Sequence, residues 1–299
     1  MILANKQTNP SNSKLEDAML TALKTKVNVS EDNPNMPENG FELPNIKHQL
    51  IDATTDLTQA ELNTGEVKFN TGEAIFNTSE ARFNMREARF NMIEQQVRTW
   101  DVLDPVVLQL LHDLPRENFV PIAYQGLAFA DIEIPLGYNQ YMLSPKLEGR
   151  MLQALGLKKT QTVLHIGTGS GYFTALLASL AKHVTTIEIN PDLSTHAAKN
   201  IAQNNINNVT FLINDATTFS PNNQTFDVIV YTASTPIEPA NMRAKLNING
   251  VMLLVIGNAP AMQATLISRV STTGYKQETL FETCISELNN SPQTPHFNF

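Results

Sequence analysis

The segment Gln161–Tyr172, QTVLHIGTGSGY, constrains the fold of this chain more than any other. A β-branched run, QTVLHI, empties into Gly167, Gly169 and Gly171, which lead into the helical segment GYFTALLASLA. Glycine at alternate positions permits left-handed backbone and close approach of a ligand, and the helix that follows presents its first N–H groups to a polar one. Strand, glycine loop and helix in that order are one unit of an α/β sheet. The alternation continues: HVTTIEI, NVTFLI, FDVIVY and GVMLLVI read as strands, and PDLSTHAAKNIAQ as a helix. The expected fold class is α/β, a doubly wound sheet.

Glu188 closes the second of these strands about twenty residues after the loop, where a carboxylate accepts hydrogen bonds from both hydroxyls of a ribose. Asp215 closes the third, in position to meet an adenine amino group. The glycines are spaced i, i+2, i+4, not as the G-x-G-x-x-G of dinucleotide folds, which points to S-adenosylmethionine rather than NAD. The candidate cofactor-binding residues are Gly167, Thr168, Gly169, Ser170, Gly171, Glu188 and Asp215, with His165 just ahead of the loop. Glycines that served only a tight turn would leave Glu188 and Asp215 unexplained.

With 299 residues, 42% of them hydrophobic, the chain has room for one well-buried domain plus an appendage, or two small domains. A net charge of -8 argues against a nucleic-acid partner, since phosphate binding needs clustered Lys and Arg. No apolar run reaches the ~18–20 residues of a membrane span, and MILANKQTNP lacks the apolar core of a secretory signal. A soluble, cytoplasmic monomer is the expectation. Cys284 is the sole cysteine, which excludes an internal disulfide or a thiolate zinc cluster. His48, His112, His165, His183, His196 and His296 are scattered without an i, i+4 pair, so no metal site is expected.

The organisation reads as three parts. Residues 1–60, rich in Asn, Thr, Pro and acidic residues, hold one aromatic, Phe41, and are expected to be largely disordered, apart from a short helix over SKLEDAMLTALK. Residues 61–89 carry a tandem seven-residue repeat in which Phe69, Phe76 and Phe83 recur, with Phe90 in phase just beyond it. A coiled coil is vetoed because the second apolar slot holds Gly65, Gly72, Ser79 and Arg86. The copies grade in similarity toward FNMIEQQ, as a local duplication would, and helix is expected only in the later, glycine-free copies. Residues 90–299 form the third part, the catalytic domain.

From about Phe90 onward the chain resembles the protein-L-isoaspartate O-methyltransferases. The resemblance is carried by Met92-Ile93-Glu94-Gln95-Gln96-Val97-Arg98 and by Pro115-Arg116-Glu117-Asn118-Phe119-Val120-Pro121. It continues through Ala128-Phe129-Ala130-Asp131, Pro135-Leu136-Gly137-Tyr138-Asn139-Gln140 and the glycine loop. It implies a class I methyltransferase with a mostly parallel seven-stranded, Rossmann-like sheet. It further implies S-adenosylmethionine as cofactor and isoaspartyl residues of damaged proteins as substrate, hence protein repair.

Two departures bear on the chemistry. Family members place a serine beside the substrate carboxylate, and counting from Gly137 or from Pro145 puts Leu143, not Ser144, on that position. The candidate catalytic residues are Gln140, Leu143 at the family serine position, and Ser144, which fits either a displaced functional hydroxyl or a turn serine. Met142 and Leu143 equally suit a pocket for another acceptor. The second departure is His165, where the family carries Asp or Glu; a neutral histidine hydrogen-bonds but brings no negative charge, and a satisfied strand histidine is the alternative.

Tyr231-Thr232-Ala233-Ser234 stands where a nucleic-acid methyltransferase would want a motif such as Asn-Pro-Pro-Tyr, and resembles the family's Val-Thr-Ala-Ala. Thr232 and Ser234 are candidate substrate donors, with plain loop hydroxyls as the alternative. A serine hydrolase is excluded because GTGSGY lacks the nucleophile-elbow spacing. Two classes of function remain: an isoaspartyl carboxyl methyltransferase, or a cofactor- or protein-binding relative with lost or altered activity.

Overall fold

The computed structural model describes residues 79–219 and 224–293 of the chain. The extension 1–60, with the helix expected over SKLEDAMLTALK, and the earlier repeat copies lie outside those residues.

The last repeat copies form helix α1, Ser79–Met92, where no glycine interrupts the helical propensity. Phe90 does not lie on its buried side: it is 53% exposed, whereas Met92 and Arg89 are buried. The Arg89 guanidinium pairs with Glu117 and donates to the His112 carbonyl at 2.7 Å. Helix α1 therefore runs through residue 90 without a break and docks against the Pro115–Pro121 motif. A widened π-type turn, Ile93–Val97, and a single tight turn, Arg98–Trp100, follow it.

Helix α2, Pro105–Asp113, starts at Asp104, whose carboxylate accepts from the Val106 N–H at 2.8 Å. A hairpin of β1, Ile134–Gly137, and β2, Gln140–Met142, then leads through Ser144 into helix α3, Pro145–Leu155. Arg116 fastens these segments together from inside. It is fully buried, with Nε donating to the Ala128 carbonyl at 2.8 Å, one terminal nitrogen to the Leu143 carbonyl at 2.7 Å, and the other paired with Glu148 of α3. Burial pushes the Glu148 carboxyl up to about 8, with the Arg116 charge pulling the other way.

The expected alternation is present in full. It comprises β3 Thr162–Ile166, helix α4 Tyr172–Leu180, β4 His183–Glu188, helix α5 Pro191–Gln203, β5 Val209–Ile213 and β6 Phe226–Thr235. A short helix α6, Ala240–Arg243, precedes β7 Leu246–Asn258, β8 Ala261–Arg269 and β9 Tyr275–Thr283. The sheet has seven strands in the order β5-β4-β3-β6-β7-β8-β9, parallel as far as β7 and antiparallel at β8 and β9. Both faces are covered, as a parallel sheet requires. Val163, Val228 and Val230 pack on one side, and Leu164, Ile166, Ile229 and Tyr231 on the other.

Candidate active site

Strand order reverses beside β3, which lies between β4 and β6, and a crevice opens at the carboxyl ends of these strands. Its volume is about 560 Å³, counting space continuous with solvent. The glycine loop forms one edge, with φ values of +94° at Gly167, +54° at Gly169 and +86° at Gly171. Two of these positions also forbid a side chain: a Cβ at Gly167 would come within 2.9 Å of Thr232 Oγ1, and one at Gly171 within 3.1–3.2 Å of Ala197 on α5.

Glu188 at the end of β4 is buried yet borders the crevice. One carboxylate oxygen accepts from the Gly169 N–H at 2.9 Å and the other from the Asn190 N–H at 3.1 Å. Each oxygen keeps a further acceptor site. Glu188 thus locks the glycine loop to the strand and still has capacity for a ligand's hydroxyls. Asp215 stands at the mouth, one oxygen accepting from the Thr217 N–H at 2.8 Å and hydroxyl at 2.7 Å, the other from Asn290 at 2.9 Å. Partial burial pushes its carboxyl up, but the bonds from Thr217 and Asn290 outweigh this and hold it below the usual carboxylate range.

The remaining loop residues support the crevice from behind rather than lining it. Thr168 is buried with its hydroxyl 2.7 Å from that of Thr186, and Ser170 Oγ accepts from the Tyr172 N–H at 3.3 Å, so both face away from the opening. His165 is fully buried, Nδ1 lying 2.8 Å from Thr174 Oγ1 and Nε2 lying 3.0 Å from Thr232 Oγ1. Desolvation pushes its pKa down to about 3, so the ring is neutral.

The candidate substrate residues separate. Gln140, with Tyr141, reaches the crevice from β2, and Thr232 reaches it from β6. The Thr232 hydroxyl lies 2.6 Å from the Gly167 carbonyl, which commits its single proton there and leaves none for a ligand. Ser234 is buried elsewhere, its hydroxyl donating to the Ile285 carbonyl at 3.1 Å as it clamps the C-terminal segment. The Leu143 side chain belongs to the core. Ser144 borders a second crevice with Trp100, Glu133, Arg150 and Phe281.

Residues 87–285 match the family described as Protein-L-isoaspartate(D-aspartate) O-methyltransferase (PCMT). The chain belongs to the protein-L-isoaspartate O-methyltransferase family. Among its relatives, the Magnetococcus marinus protein-L-isoaspartate O-methyltransferase is 36% identical over 181 residues, covering 60% of this chain and 79% of the relative. That of Dictyoglomus turgidum is 38% identical over 175 residues, covering 57% and 78%. Two solved structures share the fold. One, a protein-L-isoaspartate O-methyltransferase, aligns with a TM-score of 0.59 at 22% identity over 70% of this chain and 67% of its own. The other, from Plasmodium falciparum, is described under the same family name in complex with S-adenosyl-L-homocysteine; its TM-score is 0.58 at 17% identity over 69% of this chain and 99% of its own.

Several residues that hold the segments around the crevice have no role assigned from the sequence. Arg116 is one, and a charged residue amid Phe119, Val120 and Leu114 is a signal that it is buried and paired. Tyr138, whose hydroxyl donates to Asp192 at 2.5 Å across the top of the loop, and Asn290 had no local signal, because their partners lie 54 and 75 residues away.

Proposed function

We propose that the chain methylates the free carboxylate of L-isoaspartyl residues in damaged proteins, with S-adenosylmethionine held at Gly167, Gly169, Glu188 and Asp215. The observation that carries this reading is Glu188, a buried carboxylate aimed into the crevice with acceptor sites to spare. The surroundings fit an adenosine-bearing cofactor: a loop that presents only Gly167 and Gly169 to the crevice, one fixed carboxylate for hydroxyls, and apolar walls from Ile187, Ile189 and Ala216. When bound, S-adenosylmethionine supplies an electrophilic methyl group.

The chain's own contribution is positional. An isoaspartyl α-carboxylate has a pKa near ~3.5 and is ionised at neutral pH, so no general base is required. This agrees with a crevice whose nearest histidine, His165, is neutral and fully engaged. Gln140 and Tyr141 are the groups free to donate to the acceptor, since neither side chain is hydrogen-bonded among the described residues and both border the opening. Holding the reactants in contact and excluding water is the source of rate. Among the described residues no helix is long and apolar enough to cross a membrane, and we take the protein to act in the cytoplasm as a monomer on protein acceptors.

Incubation with methyl-labelled S-adenosylmethionine and an isoaspartyl peptide tests the reading. It predicts base-labile label in that peptide and none in the aspartyl isomer. One observation favours a second reading, a methyltransferase for another acceptor: the family serine position holds Leu143, and its side chain is in the core. Cofactor binding without label in the isoaspartyl peptide would favour that second reading.

A further inference from the structure

We propose that His165 is a positioning residue for the crevice: as the Nε2–H tautomer it donates to Thr232, turning the Thr232 hydroxyl onto the Gly167 carbonyl and so fixing the glycine loop. The functional part of this inference rests on the crevice being the cofactor site.

Thr232 Oγ1 lies 3.0 Å from His165 Nε2, 2.6 Å from the Gly167 carbonyl and 3.3 Å from the Ile166 carbonyl. Carbonyls only accept, and the hydroxyl has one proton, so that proton goes to the Gly167 carbonyl at the shortest distance. Toward His165 the hydroxyl must then accept, which places a hydrogen on Nε2. The neutral ring leaves Nδ1 bare, and Nδ1 accepts from Thr174 at 2.8 Å, with Thr186 at 3.3 Å beside it. Thr186 in turn lies 2.7 Å from Thr168 of the loop. Every polar atom of the imidazole is used, and its output is the orientation of one hydroxyl at the crevice wall. Gly167 completes the device, because a Cβ there would meet Thr232 Oγ1 at 2.9 Å and push the two apart. A carboxylate at position 165 would accept rather than donate and would compete with Gly167 for the Thr232 proton.

The tautomer is read directly by nitrogen-15 NMR of the imidazole in the whole, ligand-free chain, where a protonated Nε2 and a bare Nδ1 are expected. Calorimetric titration with S-adenosylhomocysteine then reads the consequence. Thr232→Val and His165→Met should each weaken binding about tenfold, and the double variant no further, because both remove the same bond. His165→Gln, which restores an N–H donor, should return affinity to within about threefold of the unaltered chain. Should His165→Met not fold, Thr232→Val at the crevice surface and the tautomer carry the test. An Nδ1–H tautomer, unchanged affinity in Thr232→Val, or additive losses in the double variant would overturn the inference. Failure of the unaltered chain to bind the probe would instead overturn the cofactor reading, and with it the functional part of this one.

Discussion

On the sheet side of the crevice, Gly167 follows and Glu188 ends strands whose register is fixed by parallel ladders on both neighbours, and Thr232 sits within β6 where its register against β7 shifts. On the opposite side, Gln140 and Tyr141 belong to a two-stranded hairpin that turns through Gly137, Tyr138 and Asn139, all with positive φ. The hairpin is held by Arg116 through the Leu143 carbonyl and by Tyr138 through Asp192. One side inherits its precision from the sheet and carries Glu188, a carboxylate with acceptor sites to spare. The other is set by a few long-range contacts, so it can change while the sheet side stays as it is.

The largest expected effect breaks the hairpin side. Arg116→Met leaves Glu148 buried without its partner and should cost about 3–5 kcal/mol, a fall in Tm of roughly 10 °C. Converting Glu148 to Met as well should recover part of the loss, the Ala128 and Leu143 carbonyls staying without their donor, which thermal melts of the single and double variants will show. Next, Glu188→Ala removes the acceptor of the Gly169 and Asn190 N–H groups, and calorimetry should find S-adenosylhomocysteine bound about a hundredfold more weakly.

A smaller effect concerns pH on the sheet side. His165 is held near 3 in the fold against 6.5 in the free residue, so the folded chain binds this proton more weakly than the unfolded one. Its contribution to stability is complete above pH 6.5 and is lost as pH falls toward 3, with a slope of at most about 1.4 kcal/mol per pH unit. His165→Gln, which does not titrate, should flatten the Tm profile between about pH 4.5 and 6.5. The smallest effect is Ser144→Ala. Because that hydroxyl faces the second crevice, methyl-transfer kcat/KM should change less than about twofold, and a larger loss would return Ser144 to the active site.

This asymmetry also governs what could be read from the sequence. The five parallel strands were legible because each contains a short β-branched run, and Glu188 and Asp215 because they lie at or just past the ends of such runs. The hairpin was not, since Ile134–Met142 contains Pro135, Gly137 and Asn139 in place of a strand pattern, and its fixing contact to Arg116 spans 27 residues. Nor were β8 and β9 marked, the antiparallel pair that finishes one side of the sheet without a motif. His165 was legible as a polar residue on a strand, but its role depends on Thr174 and Thr232, which only the sheet brings together. Ser144 and Leu143 were assigned by counting along a motif, and counting does not reveal which way a side chain faces.

A crystal structure of the whole chain with S-adenosylhomocysteine tests the central claim most directly. The account predicts the ligand at the carboxyl ends of β3 and β4, its ribose hydroxyls on Glu188, with Gln140 and Tyr141 facing the sulfur and Ser144 out of contact. A ligand seated in the second crevice beside Ser144, or a ribose that ignores Glu188, would contradict it.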